Sequence, residues 1–253
     1  MRILEVKNLT KTYEIDDNHY KALENLSFSV RKGEFVAIMG ASGSGKSTLL
    51  NILSTLDFAS SGLVLLGNED LSQLSEKQRA DFRSQHLSFI FQNYNLLGNL
   101  TLQENIALAL TVKGHPKQEI YQLVLETAAK LGIEKLLAKY PHQVSGGQQQ
   151  RCACARALAT SPDLILADEP TGALDTQSTK QLLTILESMN ETLGTTILLV
   201  THDAIAASHC QRVLFMQDGQ FVNELHTKDQ TQKESFHQIL ELMGALGDDA
   251  HVS

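Results

Sequence analysis

A glycine-rich turn follows the apolar run Phe35–Met39 and precedes a predicted helix start. Residues 40–47 read GASGSGKS, which fits the phosphate-binding pattern G-x-x-x-x-G-K-S. Glycines let such a loop aim backbone N–H groups at phosphate oxygens, and the positive end of the following helix dipole adds to the same spot. A chance match is the alternative, but the order strand, loop, helix disfavours it. The stretch therefore predicts a nucleoside triphosphate site.

The side chains of this loop have separate predicted roles. The ammonium group of Lys46 supplies positive charge for the β- and γ-phosphates, and the hydroxyl group of Ser47 is a ligand for Mg²⁺. The residues predicted to bind the nucleotide here are Gly40, Ala41, Ser42, Gly43, Ser44, Gly45, Lys46, Ser47 and Thr48.

The overall composition narrows the class of protein. The chain has 253 residues, 42% of them hydrophobic and 20% charged, which is ordinary for a soluble globular protein of one domain or two small ones. The formal net charge of −8 argues against a nucleic-acid partner, which needs a basic face. No signal peptide is predicted, and no apolar run reaches the roughly 18 residues that span a bilayer. We expect such a chain to serve a membrane only through a partner.

The cysteines and histidines predict neither disulfides nor a transition-metal site. Three cysteines form no even framework, which fits a reducing cytosol. Cys152 and Cys154 lie two residues apart on a predicted helix, so their side chains point to different sides. We interpret them as small buried hydrophobic residues. The nine histidines show no metal-ligand spacing.

Two later strand ends carry polar residues suited to phosphate chemistry. The apolar run Leu164–Asp168 ends in two carboxylates, of which Asp168 is a candidate Mg²⁺ ligand and Glu169 a candidate base for an attacking water. The alternative is a strand end with two solvated acids. Gln92 ends the apolar strand at 89–91 and is a candidate Mg²⁺ or water ligand, although alone it would be an ordinary surface residue.

Two further segments are candidate binding elements. Ser145, Gly146, Gly147 and Gln148 open a helix predicted to run to about residue 160. A serine and two glycines there suit a second anion site, and an ordinary capped helix start is the alternative. His202 follows the predicted strand 196–200, where open α/β sheets place ligands, and a plain loop histidine is the alternative.

One aromatic residue is a candidate for the base of the nucleotide. Tyr13 lies outside any clear strand alternation and is suited to stack on an adenine ring. A half-buried strand tyrosine is an equally good interpretation, and Tyr20 is a rival candidate.

The helical periodicity of residues 102–140 indicates a mostly helical insert in an α/β frame. We predict a nucleotide-binding domain over 1–226, with a helical subdomain at about 93–160. A tail follows at 227–253, with an amphipathic helix at 234–246. The polar face of that helix lacks Lys and Arg, which favours packing on protein over lipid.

Taken together, these motifs resemble the ATP-binding subunit of ABC transporters over nearly the whole chain. By resemblance, Tyr13 is the A-loop aromatic, residues 40–47 are Walker A, and Gln92 is the Q-loop. Residues 145–148 match the signature, Asp168 ends Walker B with Glu169 following, Asp175 belongs to the D-loop, and His202 is the switch histidine. Val144 stands where the family usually has leucine. The implied fold is an α/β P-loop NTPase core with a mainly parallel sheet, an N-terminal antiparallel β part and a helical subdomain.

The resemblance also implies how the protein works. ATP and Mg²⁺ are the expected cofactors, Glu169 and His202 the catalytic residues, and two copies pair head to tail. Residues 145–148 of one copy then contact the γ-phosphate held by the P-loop of the other. The Gln92 loop and the helical insert, especially residues 93–97, are expected to carry this closure to a membrane permease. The subunit is expected on the cytoplasmic face of the membrane.

Weaker signals indicate a branch within the family. Residues 43–53, 91–97 and 167–172 look like the branch that serves macrolide export, lipoprotein release and antimicrobial-peptide resistance. Residues 54–57, 171–175, 202–208 and the C-terminal helix look like bacitracin-type transporters of Gram-positive bacteria. That subgroup implies a large permease and often a sensor histidine kinase. The alternatives are a lipoprotein-release or macrolide-export ATPase, a soluble P-loop kinase, and an ABC ATPase of DNA repair or translation. The second anion loop disfavours the kinase, and the lack of a coiled-coil insert or second cassette disfavours the last.

Overall fold

A computed structural model describes residues 1–15 and 18–249. The chain divides into a first unit, Met1–Ser72 with Leu198–Ser253, and a second unit, Gln73–Ile197. The last four residues of the predicted tail, 250–253, lie outside the described residues. The domain boundaries expected at 93, 160 and 226 remain predictions.

The helices and strands of the described residues have the following bounds. The strands are β1 Arg2–Ile15, β2 Asn18–Arg31, β3 Phe35–Met39, β4 Ser61–Leu66, β5 Glu69–Asp70, β6 Leu87–Phe91, β7 Leu164–Asp168, β8 Ile197–Thr201, β9 Arg212–Gln217 and β10 Gln220–His226. The helices are α1 Lys46–Leu53, α2 Glu76–His86, α3 Leu102–Lys113, α4 Lys117–Lys130, α5 Gly146–Ala159, α6 Thr176–Leu193, α7 Ala204–Ala207 and α8 Gln232–Asp249.

The first unit contains an antiparallel sheet with the strand order β2-β1-β4-β5. Tyr13 lies within β1 and pairs across the sheet with Tyr20, so of the two interpretations the sequence left open, the strand tyrosine describes its position, although no clear alternation marks it. The reason is that the register of β1 against β2 shifts at several points, among them between Val6 and Leu9. Such irregularities break the two-residue alternation by which a strand is recognised in a sequence.

A second set of strands in the first unit carries the phosphate-binding loop. The strands β10, β9, β3 and β8 are neighbours in this order, and β3 runs parallel to β9. All five residues of β3 are buried, because it is covered on both faces, as strands of parallel sheets are. The β9–β10 hairpin turns at Asp218 and Gly219.

The second unit combines a parallel strand pair with packed helices. β6 and β7 run parallel in the register that pairs Phe91 with Asp168. The helices α3, α4 and α5 pack against one another. A capping box of Ser75 and Gln78, whose spacing in the sequence is typical of a helix start, begins α2, and Gly114 ends α3 in a left-handed conformation with φ 90°. The predicted α/β fold class is confirmed.

The C-terminal helix α8 is longer than the predicted 234–246. It packs against α7, and Ser235 and Ile239 are buried, whereas Leu240 and Met243 on the same helix are exposed. Within residues 1–15 and 18–249, no helix is long and apolar enough to cross a membrane.

The cysteines are buried free thiols, as interpreted from the sequence. Burial raises the pKa of Cys152 and of Cys154 to about 12. Because the thiolate is the reactive form, both side chains act as small hydrophobic residues at neutral pH.

Candidate nucleotide-binding site

The loop from Gly40 to Gly45 depends on close approach between backbone segments. A Cβ atom at Gly40 would lie 2.2 Å from the carbonyl oxygen of Met216, and one at Gly45 would lie 2.6 Å from the carbonyl oxygen of Ala22. Gly45 also has φ 103°, a left-handed conformation that favours glycine. The glycines of G-x-x-x-x-G are therefore required here by the close packing of the backbone, and at Gly45 also by the left-handed backbone conformation.

The ammonium group of Lys46 lies inside this loop. Its Nζ atom donates hydrogen bonds of 2.7 Å to the carbonyl oxygens of Gly40 and Ala41, and the residue is 8% exposed. The side chains of Ala41, Ser42 and Ser47 are exposed around it. The first N–H groups of a helix have no acceptor within the helix, so α1 offers them to the same region. A buried ammonium group beside exposed N–H donors suits a polyphosphate.

Tyr13 is held by two charged residues of the same unit. Its hydroxyl group donates to Oδ2 of Asp57 at 2.7 Å, and the ammonium group of Lys11 lies 4.6 Å from its ring centroid. Burial and the hydrogen bond to Asp57 raise the pKa of Tyr13, while a hydrogen bond with Thr48 at the start of α1 acts in the opposite direction. The ring is half-buried, and the rival Tyr20 is 52% exposed. Tyr13 is thus a half-buried strand tyrosine that also contacts the phosphate-loop helix.

His202 is exposed directly after β8, the strand that neighbours β3. The next residue, Asp203, accepts a hydrogen bond of 2.8 Å from the backbone N–H of Ile205 and so caps α7. The short helix therefore fixes the backbone on the C-terminal side of the histidine.

The second unit brings three predicted site residues, Gln92, Asp168 and Glu169, to the ends of two neighbouring strands. Because Phe91 pairs with Asp168, Gln92 and Glu169 follow neighbouring parallel strands at the same edge. Gln92 packs on the backbone of Gly172, where a Cβ atom would lie 2.6 Å from its Nε2.

Glu169 has a strained backbone. Its φ of 44° is left-handed, which costs a non-glycine residue about 1 kcal/mol, and its carbonyl oxygen accepts from the N–H of Gly172 at 3.0 Å. Strain of this kind is concentrated at functional sites, where the surrounding structure imposes it.

Ser145 and Asp175 both cap helices. Ser145 Oγ accepts from the N–H of Gln148 at 3.3 Å, and Gln148 Oε1 accepts from the N–H of Ser145 at 3.0 Å. Asp175 accepts from the N–H groups of Ser178 and Gln177, and the hydrogen bonds from Ser178 hold the pKa of Asp175 below its ordinary value. Both residues are exposed. The ordinary capped helix start is therefore present, with its serine on the surface.

The two capped helix starts contact each other through small residues. A Cβ atom at Gly147 would lie 2.8 Å from the hydroxyl oxygen of Ser178, and one at Gly146 would lie 2.7 Å from the hydroxyl oxygen of Tyr94. The segment after Gln92, the start of α5 and the start of α6 thus meet within the second unit.

The sequence did not single out Tyr94 and Arg156 as individual residues. Arg156 donates hydrogen bonds to the carbonyl oxygens of Tyr94, at 2.9 Å, and Asn95. Both acceptor residues are left-handed, with φ 60° and 47°. Asparagine tolerates this conformation and was the one available signal, whereas a left-handed tyrosine depends on the contact with α5.

The donor set predicted for a metal has the chemistry of a Mg²⁺ site. Ser47 in the first unit offers a hydroxyl oxygen, and Asp168 and Gln92 in the second unit offer carboxylate and amide oxygens. Mg²⁺ prefers such hard oxygen ligands and is bound by few protein groups together with phosphate oxygens. The described residues contain no group of three or more His, Cys, Asp and Glu arranged to hold a metal by themselves.

Comparison with known proteins points to one family. The family model described as ABC transporter matches residues 23–172. The bacitracin export ATP-binding protein BceA of Halalkalibacterium halodurans is 47% identical over 247 residues, covering 98% of both chains. The macrolide export protein MacB of Pasteurella multocida is 38% identical over 96% of this chain and 37% of its own length. The lipoprotein-releasing protein LolD of Colwellia psychrerythraea is 41% identical over 87% of this chain and 85% of its own.

Solved structures of similar chains are ATP-binding cassettes. A bacterial ABC transporter cassette solved as a dimer has a TM-score of 0.80 and 39% identity, covering 88% of this chain and 98% of its own. A dimeric cassette in a post-hydrolysis state, bound to ADP and phosphate, has the same TM-score and 38% identity, with the same coverage.

The glycines of the loop predict a graded response to alanine. Gly43→Ala meets no atom within 4 Å but takes φ 83°, so we expect a loss of about 1 kcal/mol in the free energy of unfolding. Gly45→Ala adds a clash with the backbone of Ala22, so we expect a loss of about 2 kcal/mol or more, with weaker ATP binding. Urea unfolding of both variants measures the difference, and equal losses would contradict the close approach at Gly45.

Proposed function

We propose that this chain, which belongs to the ABC transporter family as an ATP-hydrolysing subunit, drives a membrane permease that removes a bacitracin-like peptide antibiotic. The observation that carries the substrate class is the 47% identity to a bacitracin export ATP-binding protein, spanning 98% of both chains. Relatives named for macrolide export and lipoprotein release, at 38% and 41% identity, represent the alternative substrates.

Different residues bind the phosphates, the adenine and the metal ion of the nucleotide. The loop at 40–48 surrounds the phosphates of ATP, the buried ammonium group of Lys46 lies against the β- and γ-phosphates, and Tyr13 stacks on the adenine. Ser47, Asp168 and Gln92 would hold Mg²⁺, which neutralises charge on the phosphate oxygens when bound.

Hydrolysis needs a base for the attacking water. Glu169 takes the proton while the water oxygen bonds to the γ-phosphorus and the bond to the ADP oxygen breaks. The left-handed backbone at Glu169 and the hydrogen bond from Gly172 support this role, because they fix the start of the side chain at the strand end. His202 completes the set as a donor to the γ-phosphate.

The site is completed by a second copy of the chain, paired head to tail. Ser145, Gly146, Gly147 and Gln148 of that copy, with Asp175 beside them, reach the γ-phosphate. The exposure of Ser145 at a helix start supports this part, as does the dimeric state of the cassette that shares 39% identity.

The motion of closure reaches the permease through the segment at 93–97. The contact of Tyr94 with Gly146 and the hold of Arg156 on the Tyr94 backbone support this route, since they tie that segment to α5. We place the subunit on the cytoplasmic face of the membrane, attached through the permease, with a sensor histidine kinase as a further partner.

Two substitutions separate binding from hydrolysis. Lys46→Ala removes the buried charge of the loop, so we expect ATP affinity to fall by about 100-fold. Glu169→Gln keeps the shape of the side chain but removes the base. We therefore expect unchanged affinity for ATP and a turnover that falls by about 100-fold or more. Titration calorimetry and phosphate release measure the two quantities. The matched controls Lys180→Ala and Glu191→Gln, both exposed on α6, should behave like the unaltered chain. Normal turnover in Glu169→Gln would remove Glu169 from its role.

The substrate class predicts a selective loss of resistance. In cells that carry the chain with its own permease, Glu169→Gln should lower the minimal inhibitory concentration of bacitracin and leave that of erythromycin unchanged. The reverse pattern would favour the macrolide alternative. If the variant has slow turnover and the minimal inhibitory concentrations of both drugs are the same as with the unaltered chain, peptide antibiotics would be removed from the proposal.

A further inference from the structure

Three side chains of the first unit form a cluster around Tyr13. Asp57 Oδ1 accepts a hydrogen bond of 2.7 Å from Lys11, and Asp57 Oδ2 accepts one of 2.7 Å from the hydroxyl group of Tyr13. Hydrogen bonds from Lys11 and Tyr13 outweigh the effect of burial and lower the pKa of Asp57, which therefore stays ionised at neutral pH. One carboxylate thus holds both the cation and the phenol.

The cluster covers one face of the aromatic ring of Tyr13. The ammonium group of Lys11 lies 4.6 Å from the ring centroid, which is the range of a cation–π contact. A planar base can then stack only on the opposite face. Because the hydroxyl group of Tyr13 is tied to Asp57, the ring is also restrained from rotating away about its side-chain bonds.

The carboxylate is itself fixed to the helix that begins at the phosphate loop. The N–H groups of Leu56 and Asp57 donate to the carbonyl oxygen of Asn51 at 2.9 and 3.1 Å, just past the end of α1. Lys11 also donates to the carbonyl oxygen of Phe58 at 2.8 Å. One end of α1 therefore carries the phosphate-binding residues, and the other end carries the group that holds the ring.

We infer that Lys11 and Asp57 are positioning residues that orient Tyr13 for the base of the nucleotide and so set how much the base adds to affinity. Because this rests on the proposed stacking of Tyr13 on adenine, its test must separate the orientation of the ring from the stacking itself. An aromatic ring that stacks on a base adds to the free energy of binding. A ring that becomes ordered only when the ligand binds adds less, because ordering the side chain costs free energy.

The test compares a ligand that has a base with one that does not. ADP and inorganic pyrophosphate, each with Mg²⁺, are titrated into the full-length chain by calorimetry, and neither requires hydrolysis. Tyr13→Phe keeps the ring but loses its tie, and Asp57→Ala loses the tie and the partner of Lys11. We expect both to raise the dissociation constant of ADP about threefold to tenfold, with Tyr13→Ala at the top of that range or above it.

The dissociation constant of pyrophosphate should stay within about twofold in every variant, because the phosphate loop is untouched. Glu5→Gln is the matched control, since it removes the charge of an ion-paired carboxylate on β1 that does not belong to the cluster. It should change neither ligand.

The other outcomes overturn the inference in distinguishable ways. A weaker ADP complex in Tyr13→Ala alone would leave stacking intact and show that Lys11 and Asp57 do not orient the ring. Equal weakening of ADP and pyrophosphate would show that the cluster only supports α1. Unchanged ADP binding in Tyr13→Ala would remove the base contact itself. Absence of ADP binding to the unaltered chain would instead contradict the proposed nucleotide function.

Discussion

The nucleotide site depends on a backbone that passes close to its neighbours without side chains. At Gly40 and Gly45 any Cβ atom would meet the backbone of Met216 or Ala22 at less than 3 Å. This close approach shapes the loop in which Lys46 lies against two carbonyl oxygens. The loop thereby fixes the position of the Lys46 side chain next to the start of α1. The backbone N–H of Asp57 donates to the carbonyl oxygen of Asn51 in α1, so the position of Asp57 depends on the same packing.

Glycines also allow close packing in the second unit. Gly146, Gly147 and Gly172 admit the side chains of Tyr94, Ser178 and Gln92 respectively. Three segments with different expected partners, namely permease, γ-phosphate and sister subunit, are thereby joined within a few ångströms. A shift of any one of them must be accommodated by the other two, because packed side chains transmit displacement rather than absorb it.

Local chemistry was predictable from the sequence wherever it is carried by neighbouring residues. The glycine-rich turn that leads into α1, the capping box at Ser75 and the buried strand ending at Asp168 each follow from short patterns, and all three are present. The sequence left the strand position of Tyr13 as one of two interpretations, because register shifts in β1 hide its alternation. The left-handed conformations of Glu169 and Tyr94 were also beyond prediction, since tertiary contacts impose them against local preference.

The most direct measurement of the central claim is the molar mass of Glu169→Gln protein by light scattering, with and without ATP and Mg²⁺. We predict a mass near 27.9 kDa without nucleotide and about twice that value with ATP. Adding Lys46→Ala should abolish the change, and Ser145→Arg should abolish it while leaving ATP binding intact. A chain that binds ATP and stays at 27.9 kDa would contradict the head-to-tail site formed by two copies.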